Sequence, residues 1–154
     1  MVLDALDQLI LGVLQRDGRI TTTELGNRVG LSPSACLRRV RRLEDDGVIS
    51  GYVALIDPHK VDRGTSVFVE ISLTSQHEEL LDEFELAITQ CAEVTSCHLM
   101  AGSADYLVHV VCRDVADYER IHRSHLAMLP GVANLRSSFS IRRVLDTTAV
   151  PLVD

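Results

Sequence analysis

The feature that most constrains this chain is the way its apolar period changes between Thr65 and Val144. In "TSVFVEISL" every second residue is apolar, so Val67, Val69, Ile71 and Leu73 share one face of an extended strand. "EELLDEFELAITQ" then repeats at three and four, placing Leu80, Leu81, Phe84, Ala87 and Ile88 on one side of a helix. "VTSCHLMA" and "YLVHVVC" return to the strand period on either side of the turn "GSAD". "VADYERIHRSHLAML" is helical again and is stopped by Pro130-Gly131, after which "VANLRSSFSIRRV" reads as one long strand. The order β-α-β-β-α-β predicts a ferredoxin-like split βαβ unit, an antiparallel sheet with both helices on one side. The other face of such an apolar sheet is expected to pack on a second copy of the chain.

The first fifty residues carry a different pattern. Asp4 to Gln15 reads as a helix with Leu6, Leu9, Ile10, Val13 and Leu14 at helical spacing, ended by "RDG" with Gly18 as a left-handed cap. A short helix follows in "TTTELGNRVG", capped by Thr21 or Thr22, with Leu25 and Val29 one turn apart. Gly30 and Leu31 form a tight turn, Ser32 is the next N-cap, and Pro33 takes the first helical position. In this third helix Pro33, Cys36, Val40 and Leu43 face the core, with Leu37 at its edge. Ser34, Arg38, Arg41 and Arg42 fall opposite, flanked by Ala35 and Arg39.

Three short helices with a glycine turn before the last match a helix-turn-helix unit, whose final helix enters the DNA major groove. The DNA-facing set is then Ser32, Ser34, Ala35, Arg38, Arg39, Arg41 and Arg42. Ser34, Ala35 and Arg38 are best placed to meet base edges, while Arg39, Arg41 and Arg42 grip phosphates. The fold class is α+β. An N-terminal helix-turn-helix domain, winged-helix-like, spans 1–50, a linker strand and loop 51–64, and the ferredoxin-like domain 65–154.

Charge supports the division. Residues 1–50 hold seven arginines and seven acids, whereas residues 51–154 hold eight basic residues and fifteen acids. The net charge of −7 therefore resides in the rear domain, which repels a polyanion and leaves the arginine helix as the one attractive face.

Other functions find little support. No apolar run approaches the roughly 18–20 residues of a membrane span. The N-terminus lacks a basic leader, so a cytoplasmic protein with reduced thiols at Cys36, Cys91, Cys97 and Cys112 is expected. No GxSxG elbow, HExxH helix, phosphate loop or dinucleotide fingerprint appears, so neither catalytic residues nor a cofactor are assigned. His122 and His125 lie one turn apart but within an apolar stripe and without a clear third ligand, so they read as packing residues and no metal site is assigned.

These pieces resemble the Lrp/AsnC (feast–famine) transcription regulators of bacteria and archaea. The resemblance runs from about Leu3 to Leu152 and is carried by "DGRITTTELGNRVGLSPSACLRRVRRLEDDGVISGY", "GSADYLV" and "LPGV". It implies a sequence-specific regulator of double-stranded DNA whose rear domain oligomerises, as dimers that assemble to octamers, and binds an amino-acid effector between dimers. The family's Gly-Asp-x-Asp-Tyr ligand turn corresponds to Gly102, Ser103, Ala104, Asp105 and Tyr106, with Ser103 in place of the first acid. Asp105 remains to pair with an α-ammonium, and the loss of one carboxylate disfavours a cationic effector, leaving a neutral amino acid. The resemblance places the pocket's other wall at Leu129, Val132, Ser137 and Ser138. Two alternatives stand beside this reading. One is an architectural protein that wraps DNA with little effector control. The other is a metabolite-binding or enzymatic rear domain with an incidental basic helix.

Overall fold

The computed structural model describes residues 2–152. The chain forms two compact units, one running to Ala54 and resuming at Leu145, the other spanning Leu55–Val144.

The first unit is three helices: α1 (Ala5–Leu14), α2 (Thr22–Val29) and α3 (Pro33–Asp45). Each begins at a side-chain cap, Asp4, Thr21 and Ser32, which accepts a hydrogen bond from the third helical N–H. Gly30 ends α2 at φ 72°, a conformation open to glycine at little cost. Gly26 lies so close to the turn that a Cβ there would stand 2.7 Å from the Leu31 carbonyl oxygen. These two glycines let α3 follow α2 in a tight helix-turn-helix. Ile10, Leu25, Cys36 and Leu43 fill the core, burial of each leucine or isoleucine being worth about 1.5–3 kcal/mol. Unit 1 holds no β-strand among its described residues.

Several local expectations shift. Gly18 does not adopt a left-handed cap; α1 ends at Gln15 in ordinary helical geometry, and Tyr52 packs against Gly18 instead. Leu9 is exposed, while Leu11 and Asp7 are buried in its stead. Pro33 is exposed as well, a consequence of its place at the helix mouth. The segment from Leu145 belongs to the front unit and not to the rear domain. Gln15 clasps the Val150 backbone through both its amide oxygen and nitrogen, and Leu152 packs on the Ile10 cluster.

The second unit contains β1 (Thr65–Leu73), α4 (Glu78–Ile88), β2 (Val94–Leu99), β3 (Tyr106–Cys112), α5 (Val115–Ser124) and β4 (Val132–Phe139). The strands pair antiparallel in the order β2-β3-β1-β4, the expected ferredoxin-like sheet. Val67, Val69 and Ile71 of β1 and Val108 and Val110 of β3 meet Phe84 and Ile88 of α4 and Tyr118 and Ile121 of α5. β4 stops at Phe139, short of the expected Val144. Its partner β1 begins at Thr65, and the last ladder bond runs from Ser140 N–H to the Ser66 carbonyl. The connection expected to hold a strand instead contains a 3-10 turn at Pro58–Val61, capped by Asp57.

Candidate nucleic-acid interface and ligand turn

The outer face of α3 is built from its N-cap forward. Ser32 Oγ accepts the Ala35 N–H at 3.3 Å and lies 3.3 Å from Ser34 Oγ, so the serines shape the helix mouth. Ser34, Arg38, Arg41 and Arg42 are exposed, and Ala35 is half-buried. Arg38 and Arg41 have neither an ion pair nor a side-chain hydrogen bond among the described residues. They leave two full charges open to solvent. The positive end of the helix dipole adds to them at the N-terminus. Asp45 and Asp46 gather at the opposite end, which a phosphate backbone would avoid.

Arg39 and Arg42 have a different environment. Arg39 Nη1 donates to Asp4 at 2.7 Å and to Asp7 at 2.8 Å, and Arg42 Nη2 donates to the other Asp7 oxygen at 2.5 Å. Asp7 is fully buried, and these guanidiniums supply the countercharge a carboxylate needs there. The Arg39 guanidinium, then the Asp7 N–H, holds the Asp4 carboxyl below its usual range. Thus two of the four clustered arginines pin α3 to α1. Sequence reasoning missed this because an aspartate in an amphipathic helix is ordinarily read as solvent-facing. The available signal was Asp4-x-x-Asp7 itself, a capping-box spacing that leaves a carboxylate at the start of the helix.

The rear candidate residues gather in part. Asp105 Oδ2 accepts the Leu73 N–H at 2.7 Å and Oδ1 accepts the Gln76 amide at 2.6 Å. The Asp105 N–H donates to the Ile71 carbonyl, so the β2–β3 turn is fastened to the end of β1. Leu73 pairs with Val132, and the Thr74 N–H donates to the Gly131 carbonyl, which brings Val132 to the same edge of the sheet. Gly102 and Ser103 are exposed in the turn, and Leu129 is buried just before β4. Ser137 and Ser138 diverge. Ser137 is paired with Val69 on the helix side and hydrogen-bonds Tyr118, whereas Ser138 is paired with Phe68 on the helix-free side. Gln76 went unread because a loop glutamine carries no periodic signal. His122 stands edge-on to the Tyr118 ring at 6.0 Å.

A helix-turn-helix with an open cationic outer face, joined to a split βαβ unit with a polar turn at its sheet edge, defines a DNA-binding regulator with a ligand-binding domain. Comparison with known proteins agrees. Residues 3–50 match a winged helix-turn-helix DNA-binding family, and residues 66–150 match the Lrp/AsnC ligand binding domain. The chain belongs to the Lrp/AsnC family of transcriptional regulators, which are not enzymes. It is 44% identical over 135 residues to the leucine-responsive regulatory protein of Escherichia coli strain K12, covering 88% of this chain and 82% of that one. Among solved structures it resembles an AsnC family transcriptional regulator from Agrobacterium tumefaciens at 36% identity and TM-score 0.93, with 97% of each chain covered. A Neisseria meningitidis transcriptional regulator in complex with L-methionine is similar to the same degree, at 36% identity, TM-score 0.93 and 97% coverage of each chain. No helix among the described residues is long and apolar enough to cross a membrane.

Proposed function

We propose that α3 reads operator DNA in the major groove through Ser34, Ala35 and Arg38, while Arg41 anchors a phosphate. Arg39 and Arg42 serve first to hold α3 on α1, and they reach phosphates only from that fixed position. Ser32 sets the helix mouth. The observation that carries this reading is that Arg38 and Arg41, on the helix that follows the tight turn, are exposed and have no ion-pair partner among the described residues. A gel-shift assay with salt titration tests it. Sequence-specific binding with a steep salt dependence is expected, and a shallow slope without sequence preference would overturn it.

In the rear domain a neutral amino acid is the effector, its ammonium group received by the carboxylate of Asp105 beside Gln76. The turn residues Gly102 and Ser103 and the edge formed by Leu129 and Val132 frame it. Ser137 and Ser138, on opposite faces, do not line one pocket together. The support is a half-buried Asp105 with both oxygens engaged at the sheet edge, together with relatives described as leucine-responsive or bound to L-methionine. A thermal-shift screen of the twenty amino acids tests it: a neutral one at about a hundred times its dissociation constant adds roughly 2.7 kcal/mol to the native state.

The chain acts in the cytoplasm as a homodimer that assembles to an octamer. Its helix-free sheet face supports pairing: Phe68 is exposed there, stacked on His109 at 4.7 Å, and Leu107 and Val111 are only half-buried. Sedimentation should show a species no smaller than a dimer, and a monomer at micromolar concentration would remove this part.

A further inference from the structure

We infer that Leu37 is a base-reading residue of α3, which recognises the C5-methyl group of a thymine in the operator; this rests on the DNA-reading role of that helix. The spacing of Ser34, Leu37, Arg38 and Arg41 puts all four on neighbouring turns of one face, and they line one shallow groove that Arg42, Asp45 and Asp46 complete at its C-terminal end. Leu37 is its single apolar member. It keeps 38% of its surface exposed and takes no part in the core cluster that Val40 joins from the same helix.

Such a leucine at the border between the core and a cationic face needs an apolar partner that a polyanion can bring. Arg38 and Arg41, one residue and one turn beyond it, draw in the phosphate backbone, and Asp45 and Asp46 keep that backbone toward the N-terminal end, so the occupant of this groove is DNA. The major groove offers one apolar group on its base edges, the thymine methyl, and aliphatic side chains are what contact it. Arg38, one residue on, presents the fork that suits guanine O6 and N7. The helix therefore carries the means to read a thymine beside a guanine.

The experiment uses the full chain and the DNA recovered from a random pool by the wild-type protein. Each thymine is replaced singly by deoxyuridine, which keeps every hydrogen-bonding group and lacks only the methyl. Burial of one methyl predicts a three- to fivefold loss of affinity at one thymine per half-site. Leu37→Ala should bind the thymine and deoxyuridine sites equally, whereas Leu37→Met should keep the preference. Should Leu37→Ala fail to fold, Leu37→Val serves in its place, with a reduced penalty expected. A recovered motif with no deoxyuridine penalty in the wild type, or a penalty unchanged in Leu37→Ala, overturns the assignment to Leu37 alone. Failure to recover any motif overturns the base-reading role of α3 as a whole.

Discussion

The two units each contain a buried aspartate at the third position of a helix, and the two are held in opposite ways. In "DALD" at the start of α1, Asp7 is capped by Asp4 and neutralised by Arg39 and Arg42, more than thirty residues away on α3. In "DVAD" at the start of α5, Asp117 is capped by Asp114 and bonded by Arg113 and Arg120, four residues before it and three after. The chemistry is the same, a carboxylate at a helix N-terminus with two guanidiniums. The reach differs. The Asp117 cluster closes within its own helix and the two residues before it, with Glu93 as a further partner for Arg120. The Asp7 cluster joins two helices and sets where the DNA-facing helix sits. A local cluster secures one element, whereas a distant one transmits the position of one element to another.

The largest effect expected from this difference is that of Asp7→Ala. It leaves the Arg42 guanidinium without its partner and Arg39 with Asp4 alone. Breaking a buried pair costs about 3–5 kcal/mol, reduced here to about 2–4 because both arginines are partly exposed. Urea denaturation should show that loss, with weakened specific DNA binding, while Asp117→Ala should shift stability less and leave DNA binding of the folded protein intact. Equal effects from the two variants would erase the distinction.

Asp105→Ala comes next. It removes the proposed ammonium contact, so effector affinity should fall ten- to a hundredfold in titration calorimetry, with DNA binding by the unliganded protein retained. Loss of DNA binding without effector would instead show that the bonds from Asp105 to Leu73 and Gln76 hold the assembly together.

Within α3 the two pairs of arginines can be separated. Arg41→Ala should lower the salt slope of DNA binding by about one while leaving stability within about 0.5 kcal/mol. Arg39→Ala should do the reverse, lowering the denaturation midpoint by more than it changes the slope. Identical behaviour of the two variants would mean that Asp7 does not sort them.

The smallest effect concerns acid. The Arg113 N–H, then the Arg120 guanidinium, hold the Asp117 carboxyl down to about 2. A carboxylate depressed in the folded state stays ionised where the unfolded chain takes up a proton. Its stabilisation is therefore present above the usual aspartate value of about 3.9 and is lost as pH falls toward 2. Circular dichroism should show Asp117→Asn to be less sensitive than wild type to pH across that window, and an unchanged acid profile would count against the cluster.

The arrangement of elements could be read from the chain because hydrophobic period and capping are local. A strand of alternating valines, a Ser-Pro helix start and a glycine after Val29 act on their own neighbours, whatever the rest of the protein does. The cationic stripe on α3 was legible for the same reason, since four arginines in five positions cannot all face a core. Which of those arginines remain available was a matter of tertiary structure. Asp7 is adjacent to Arg39 and Arg42 only because α1 packs on α3, and periodicity carries no information about a partner more than thirty residues distant. Asp105 and Gln76 meet only because β3 pairs with β1, and Ser137 and Ser138 part company because neighbouring residues on a strand face opposite ways. The C-terminal segment shows the limit most plainly. By position it follows the rear domain, but Gln15 and the Ile10 core hold it on the front one, because hydrogen bonds and apolar contacts depend on distance in space and not on order along the chain.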